Sequence, residues 1–232
     1  MQRIIKILFS LYFSLATLVL CFIDAYAERP NTPVYNSNIK EGKKIALTFD
    51  DGPHPRNTPE ILEILDEFGI KATFFVIGVN VKNYPYALMQ INEGGHEIGN
   101  HTYSHRVLKN KSKKDIFKEI CDTENEINKH SAVSSGLVRP PCGLYDDNLI
   151  DVALENGYKI VLWNIDTKDW EHSKSECIEE KIIKNVKGGD IILFHDYISG
   201  ENNTPEALRA VIPKLLSEGY SFVTVSELLQ NV

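Results

Sequence analysis

The chain has 232 residues, of which 43% are hydrophobic and 25% charged, and this composition is ordinary for a globular protein with a sizeable core. Its formal net charge of -7 excludes the basic surface expected of a protein that binds nucleic acid or an anionic membrane. The length predicts a single domain.

The first 27 residues have the pattern of a secretory signal peptide. Arg3 and Lys6 precede an apolar run over residues 7–23, and Ala25-Tyr26-Ala27 supplies a small-residue cleavage site. We therefore predict export, with the mature protein secreted, associated with the cell wall or periplasmic. An uncleaved signal that anchors the protein is the alternative, because the apolar run approaches the roughly 17 to 25 residues that span a bilayer.

Residues 28–44 are rich in Pro, Asn and Lys and show no apolar periodicity, which predicts a linker. A folded domain is expected over residues 45–232. In this region short apolar runs alternate with helical patterns. The predicted strands cover residues 45–49, 72–77, 96–99, 137–139, 159–164, 190–194 and 221–225.

Five helices are predicted between these strands from their start signals and apolar spacing. Their starts lie near Thr58, Ser112, Asp146, Ser175 and Thr204. Strands that alternate with helices predict a parallel sheet with helices packed outside it. Because about seven strands are fewer than the eight of a closed barrel, the expected fold is α/β, an incomplete (β/α) barrel of about seven parallel strands with outer helices. A doubly wound open sheet is the alternative.

Ionisable residues follow four of the predicted strands. Asp50-Asp51 follows the first, Arg139 ends the fourth, Asp166 and Asp169 come after the fifth, and His195 follows the sixth. In α/β folds the functional groups lie beyond the carboxyl ends of the strands. We therefore expect these groups to meet at one rim.

The adjacent aspartates Asp50 and Asp51 admit two interpretations. Asp, Gly and Pro all favour turns, so Asp50-Asp51-Gly52-Pro53 predicts a turn. A turn needs only one of two carboxylates that repel each other, however. Neighbouring side chains of an extended segment point apart, so the pair could hold two separate tasks in a site.

His101 and His105 are spaced four residues apart. On a helical turn such residues share a face, about 6 Å apart, which suits joint metal binding by imidazole nitrogens. Two surface histidines are the plainer interpretation of the spacing. Together with an aspartate from a strand end, they would form a two-His, one-carboxylate set that leaves coordination positions open for catalysis.

The chain contains five ordered motifs, Thr48-Phe49-Asp50-Asp51-Gly52-Pro53, His101-x-x-x-His105, Arg139-Pro140-Pro141-x-Gly143, Asp166-x-x-Asp169-Trp170 and Leu193-x-His195. Together they resemble the motifs of the polysaccharide deacetylase family, carbohydrate esterase family 4, and follow the order of that family. The resemblance covers residues 45 to about 225.

The resemblance implies an incomplete (β/α) barrel and a divalent metal, with Zn²⁺ as the first expectation and Co²⁺ or Ni²⁺ as alternatives. It implies that Asp51, His101 and His105 hold the metal. It also implies that Asp50 is the general base that takes a proton from metal-bound water, and that Arg139 keeps Asp50 ionised and oriented.

For the second half of the reaction the resemblance implies that His195 is the general acid that protonates the leaving amine. Asp166 is expected to orient the His195 imidazole. Trp170 and Leu193 are expected to wall the pocket for the acetyl methyl group.

The third motif places Pro141 and Cys142 on the substrate side, where the resemblance implies that the backbone N–H of Cys142 helps stabilise the oxyanion. Cys142 departs from the family, which usually carries an aromatic residue at this position. A backbone donor survives that change. The lost aromatic surface is expected to weaken sugar binding or alter the accepted sugar.

The implied activity is hydrolysis of N-acetyl groups on a carbohydrate polymer, with peptidoglycan N-acetylglucosamine or chitin-like oligomers as the first substrates. An esterase for acetyl xylan or another O-acetyl glycan is one alternative. A non-catalytic glycan-binding relic of the fold is another. A metal-free enzyme of cyclic amides would leave Asp51, His101 and His105 without a joint purpose. The expected partner is a glycan substrate, with neither nucleic acid nor a stable protein partner implied.

Overall fold

The computed structural model describes residues 32–40, 42–130 and 132–230. The predicted signal peptide, residues 1–27, lies outside the described residues. Among the described helices, none is both long and apolar enough to cross a membrane.

The described strands form a nine-stranded sheet in which every ladder is parallel. The strands are β1 (Val34–Tyr35), β2 (Lys44–Asp50), β3 (Thr73–Val76), β4 (Glu97–Asn100), β5 (Leu137–Val138), β6 (Lys159–Val161), β7 (Ile165–Asp166), β8 (Ile191–His195) and β9 (Ser221–Phe222).

The strand order is β1-β6-β5-β4-β3-β2-β8-β7, with β9 paired to the beginning of β2. The hydrogen-bonded order ends on β1 at one edge and on β7 at the other, so the curled sheet stays open there. This architecture confirms the predicted incomplete (β/α) barrel. The seven predicted strands are all present, and the additional strands β1 and β7 have only two residues each.

Eight described helices connect or flank the strands. They are α1 (Asn57–Glu67), α2 (Gly78–Asn83), α3 (Pro85–Glu93), α4 (Lys113–Asn128), α5 (Asp147–Asn156), α6 (Ser175–Asn185), α7 (Thr204–Ser217) and α8 (Val225–Leu228). Two of the five predicted start signals act as side-chain caps: the Ser112 side chain accepts from the N–H of Asp115 at 3.2 Å, and Asp146 caps α5. The helices predicted near Thr58, Ser175 and Thr204 begin without a side-chain cap, and Thr58 lies inside α1. Gly157 ends α5 with a φ of 73°, a conformation that glycine adopts at little cost.

The prediction of a linker over residues 28–44 is wrong for the described part from Pro33 to Asn38. The N–H of Leu162 donates to the Tyr35 carbonyl at 2.7 Å, so β1 extends the sheet beside β6. The Asn38 side chain donates to the Leu228 carbonyl at 2.7 Å. Two residues are too few to show an apolar period, so local residue patterns do not predict the pairing of β1 with β6.

Alternation along β2 separates two apolar regions. Ile45, Leu47 and Phe49 belong to the large cluster that the strands form with the outer helices, whereas Ala46 belongs to a smaller cluster with residues of α8. Successive side chains of a strand point to opposite faces. Thr48 and Asp50 therefore share the inner face with Ala46, and the charged end of β2 is directed into the barrel.

Candidate active site

Four strand ends bring ionisable side chains to the carboxyl rim of the sheet. Asp50 and His195 are the last residues of β2 and β8 and lie opposite each other in the register. His101 and Arg139 follow β4 and β5, which pair with each other. The parallel arrangement gathers residues that lie far apart in the sequence, as the strand-end pattern predicted.

Asp50 and Arg139 form a buried ion pair. Asp50 is 3% exposed and Arg139 is fully buried. One guanidinium nitrogen of Arg139 donates to Asp50 Oδ1 at 2.7 Å and to Thr48 Oγ1 at 2.8 Å. The other two nitrogens donate to the carbonyls of Val161 and Leu162. A buried charge is costly unless it is paired and hydrogen-bonded, and this set of acceptors meets that condition.

Asp51 turns away from Asp50 in a backbone conformation that is uncommon outside glycine. Its φ is 76°, and the Asn80 side chain donates to its carbonyl at 2.7 Å. At Gly52 a Cβ atom would lie 2.1 Å from Oδ2 of the buried Asp196, so this position has no room for a side chain. These contacts hold the turn that separates the two carboxylates.

Asp51, His101 and His105 form a three-residue donor set. Asp51 Oδ1 lies 3.3 Å from Nε2 of His101 and 3.2 Å from Nε2 of His105, and one ligand atom from each residue lies within 4.8 Å of the others. His101 Nδ1 lies 2.7 Å from the Arg139 carbonyl oxygen, which accepts a hydrogen bond from it. The lone pair on Nε2 is thereby left for a metal ion.

This donor set fits a divalent cation. Asp51 Oδ1 is buried without a hydrogen-bond partner, and a buried unpartnered carboxylate oxygen is costly unless a cation occupies the space beside it. Two imidazoles and one carboxylate are the ligands of catalytic zinc and related ions, with positions left open. The predicted ligands are therefore brought together by the structure.

The backbone between the histidines is not the predicted helical turn. Residues 101–105 form a loop in which Thr102 has a φ of 68° and His105 a φ of 57°. The two rings are 5.1 Å apart between centroids. A strand end and a loop, rather than a helical turn, therefore bring the two imidazoles together.

Attraction within the donor set shifts two of its pKa values. Burial alone would raise the pKa of Asp51 and lower that of His101. The close contact between Asp51 and His101 and the charges of neighbouring side chains reverse both effects, so the pKa of Asp51 lies below its usual range and that of His101 above it. Negative charge is thus favoured at the centre of the set.

The prediction that Asp166 orients the His195 imidazole is wrong, because Asp169 makes this contact. Asp169 Oδ1 accepts from His195 Nδ1 at 2.8 Å, and Asp169 Oδ2 accepts from the His195 N–H and from Thr204 Oγ1, both at 2.8 Å. The Asp166 carboxylate instead accepts from the N–H of Lys168 at 2.9 Å. The sequence offered two aspartates three residues apart, and only the path of the loop after β7 decides between them.

The contact with Asp169 also changes the acidity of His195. Burial acts to lower its pKa, but the hydrogen bond and the charge of Asp169 outweigh burial and raise the pKa to about 9. The imidazole therefore holds its proton at neutral pH, as a general acid requires.

These groups line one cleft of about 440 Å³. Its lining is Asp50, Asp51, His101, His105, Cys142, Trp163, Asp166, Trp170, Leu193 and His195. Trp170, which is 48% exposed, forms an open wall of the cleft, and Leu193, which is 3% exposed, forms its floor. Arg139 lies buried behind Asp50. Pro141 is buried in the turn before Cys142 and is not among the lining residues.

The third motif shapes this cleft through its backbone. Cys142 has a φ of 58°, and its exposed side chain lines the cleft as predicted. Gly143 has a φ of 66°, and a Cβ there would lie 3.0 Å from the Trp163 ring. Trp163 was not predicted as a site residue, because a tryptophan that ends an apolar run is indistinguishable from a core residue in the sequence.

The sequence model of the polysaccharide deacetylase family matches residues 37–161, which is more than half of the chain. The chain belongs to the polysaccharide deacetylase family. The resemblance carried by the five motifs is thereby confirmed. The matched range includes the donor set and Arg139, while the motifs around Asp169 and His195 lie beyond it.

Individual relatives extend over most of the chain. The peptidoglycan-N-acetylglucosamine deacetylase of Bacillus cereus is 42% identical over 190 residues, covering 81% of this chain and 89% of the relative. A solved peptidoglycan N-acetylglucosamine deacetylase, in complex with 4-naphthalen-1-yl-N-oxidanyl-benzamide, has a TM-score of 0.85 and 33% identity and covers 89% of this chain and 97% of its own.

A third relative shows an ion in this family. The family 4 acetyl xylan esterase of Clostridium thermocellum, in complex with a cobalt ion, has a TM-score of 0.76 and 36% identity. The match covers 81% of this chain and 91% of the esterase. Metal dependence belongs to the family, and the Asp51, His101 and His105 set is where this chain could hold such an ion.

Proposed function

We propose that this protein is an exported, metal-dependent deacetylase that hydrolyses N-acetyl groups of a carbohydrate polymer, with peptidoglycan N-acetylglucosamine as its first substrate and chitin-like oligomers as the next. The observation that carries the proposal is the convergence of a buried carboxylate, an imidazole bound to Asp169 and a two-His, one-carboxylate set in one cleft. The deacetylases among its relatives support the glycan substrate.

Asp51, His101 and His105 are assigned to the cation, with Zn²⁺ as the first expectation and Co²⁺ or Ni²⁺ as alternatives. A divalent cation bound there supplies Lewis-acid chemistry, since it polarises an acyl carbonyl and lowers the pKa of water. The other groups of the cleft supply what an amide further requires: a base for the attacking water, and an acid for the amine that leaves.

Asp50 is assigned as the base. Its Oδ1 is occupied by Arg139, while its Oδ2 lies 3.8 Å from Nε2 of His101, next to the donor set. The carboxylate is thus anchored by Arg139, with its second oxygen directed toward the donor set. Arg139 acts through Asp50, because its remaining hydrogen bonds go to the barrel interior.

His195 is assigned as the acid, with Asp169 as the residue that positions it. An amine is expelled from a tetrahedral intermediate only when its nitrogen receives a proton, and the His195 imidazole, whose Nδ1 is bound to Asp169, can deliver one from Nε2. The backbone N–H of Cys142 is our candidate donor to the oxygen that gains negative charge. Donors of this kind contribute about 3 kcal/mol.

An O-acetyl esterase is the second candidate. The acetyl xylan esterase relative, at 36% identity, supports it, because ester hydrolysis uses the same cation, base and pocket. An alkoxide leaves more readily than an amine, so an esterase depends less on the acid His195. The His195 to Asp169 pair is complete here, which favours the amide.

Acetate release from a panel of defined substrates tests the proposal. The metal-stripped protein and the protein refilled with Zn²⁺ or Co²⁺ are assayed on peptidoglycan, N-acetylglucosamine oligomers and acetylated xylan. We expect about one cation per chain, activity only after refilling, and the fastest release from an N-acetylated polymer. Full activity without a cation, or no acetate from any N-acetylated polymer, refutes the proposal.

A further inference from the structure

A carboxylate outside the cleft holds the loop that carries two of the three proposed metal ligands. Glu119 lies on α4, and its Oε2 accepts from the backbone N–H groups of Tyr103 at 3.0 Å and Ser104 at 2.9 Å. The Ser104 hydroxyl donates to the same carboxylate, at 2.9 Å to Oε1. Glu119 thus engages three donors between His101 and His105.

This loop has a backbone that needs such support. Thr102 and His105 both have positive φ angles, which residues other than glycine keep only when surrounding contacts hold them. The carbonyls of Thr102 and Tyr103 accept from Gly78 and Val79, at the beginning of α2. The carbonyl side of the loop is therefore fixed by α2, and its N–H side by Glu119.

Glu119 itself stands on a rigid element. The neighbouring Ile116 and Ile120 are fully buried, and the Asn100 side chain donates to the Ile120 carbonyl at 2.9 Å. Thr123 Oγ1 donates to the Glu119 carbonyl at 2.9 Å. The carboxylate is therefore presented to the loop from a helix that packs on the sheet.

The two histidines depend on the loop to different degrees. The His101 side chain is 3% exposed and its ring is separately bonded to the Arg139 carbonyl. The His105 side chain is 41% exposed and lies at the outer end of the set. Its place beside Asp51 follows from the backbone that precedes it.

We propose that Glu119 is a positioning residue for the metal site, which sets the loop so that His105 meets the cation together with Asp51 and His101. The inference rests on the proposed function, since it concerns the same cation. Glu119 orders His105 before the ion arrives, so ion binding need not supply the free energy of ordering this ligand.

The test is the Zn²⁺ dissociation constant of the stripped full-length protein, measured by competition with a chromophoric chelator. The variants are Glu119→Ala, which removes the acceptor, and Glu119→Gln, which keeps one neutral acceptor oxygen. Asp122→Asn is the matched control, because Asp122 lies on the same helix and pairs with Lys118. The Tm of each metal-free variant records whether the fold survives.

We expect Glu119→Ala to weaken Zn²⁺ binding about 10- to 100-fold, Glu119→Gln to weaken it less, and Asp122→Asn to leave it unchanged. In a His105→Ala background, Glu119→Ala should weaken binding less than about twofold further, since the ligand through which it acts is gone. A general loosening of the fold would instead weaken binding by the same factor in both backgrounds.

Two results overturn the inference: wild-type Zn²⁺ affinity in Glu119→Ala and Glu119→Gln alike, or an equal loss with and without His105. Should Glu119→Ala fail to fold, the Gln variant carries the same comparison. If the wild-type protein itself binds no divalent cation, the proposed function fails first, so the two failures are distinguishable.

Discussion

Asp50 and Asp51 are consecutive residues with different surroundings. Asp50 lies on the inner face of β2 and is paired with the buried Arg139, whereas Asp51 turns outward to two imidazoles. The difference arises because the strand ends at Asp50 and the positive φ of Asp51 redirects the chain. The proposed base and the proposed metal ligand are thereby placed side by side without competing for the same partners.

The two aspartates should fail differently when each is changed to Asn. Asp51→Asn removes the negative charge from the donor set, so metal content and kcat should fall together. Asp50→Asn keeps the donor set but removes the proton acceptor, so metal content should persist while kcat falls about 10²- to 10⁴-fold. Elemental analysis and kcat, measured side by side, check this. An empty site in Asp50→Asn and a filled one in Asp51→Asn would reverse the assignments.

Asp169 and Asp166 allow a similar comparison through the pH dependence of kcat/KM. As the proposed acid, His195 acts only while protonated, so activity should be lost as pH rises through its pKa of about 9. Asp169→Asn removes the charge that raises this pKa, and the alkaline limb should move down by about one pH unit or more.

The matched variant Asp166→Asn should leave the alkaline limb in place, because the Asp166 carboxylate bonds to the backbone of Lys168. A change in KM would be consistent with its position in the cleft lining. If the limb moves in Asp166→Asn and stays in Asp169→Asn, then Asp166 orients the acid after all.

At the scale of elements, the strands of this sheet are short and rely on side chains between them. His96 immediately precedes β4, and its Nδ1 accepts from the N–H of Ala72, just before β3, at 3.2 Å. Its ring meets Phe74 edge-on, with centroids 5.6 Å apart. A buried neutral imidazole therefore joins two neighbouring strands near their beginnings.

This histidine should make the fold sensitive to mild acid. Burial, and after it the charge of Lys71, lowers the pKa of His96 to about 4 from 6.5. As pH falls through 6.5 the unfolded chain takes up a proton that the folded chain refuses until about pH 4. Stability is therefore lost across that window, by about 3 kcal/mol for this one group.

His96→Asn checks the effect, since Asn retains an acceptor near Nδ1 but does not titrate. Urea unfolding of the metal-free wild type and variant at pH 7 and pH 5 measures the free energy of unfolding. The variant should lose less stability than the wild type on acidification. An equal loss in both proteins would show that His96 is not the group that titrates.

At the scale of the whole molecule, the substrate that the protein can meet depends on the compartment in which it acts. Arg3, Lys6, the apolar run over residues 7–23 and Ala25-Tyr26-Ala27 support our proposal of export. A deacetylase of wall or envelope glycans must meet its substrate outside the cytoplasm. The proposed glycan substrate therefore agrees with the export that the N-terminal pattern predicts.

Mass spectrometry of the protein recovered from its natural host checks this proposal. Cleavage after Ala27 leaves an N-terminus at Glu28, and the protein should be found in the medium, wall or periplasmic fraction. An intact N-terminus in the membrane fraction would indicate the uncleaved anchor. An intact protein confined to the cytoplasm would contradict export.

The sequence by itself determined the class of fold, the positions of seven strands and the residues that end them. It could do so because apolar runs, caps and glycine stops act over a few residues. It also predicted Asp51, His101 and His105 as a set of cation ligands, which the structure brings together, since the motifs that contain them are local and ordered. The long-range gathering of these motifs followed from the parallel sheet alone.

Only the tertiary structure decided which side chains meet across long separations. Asp169 rather than Asp166 reaches His195, and the segment from Pro33 to Asn38 joins the sheet instead of serving as a linker. Glu119 supports the loop of His101 and His105 from a helix that looks like an ordinary amphipathic surface helix. Each of these contacts depends on the path of a loop or on an edge pairing, and local residue patterns do not encode such distances.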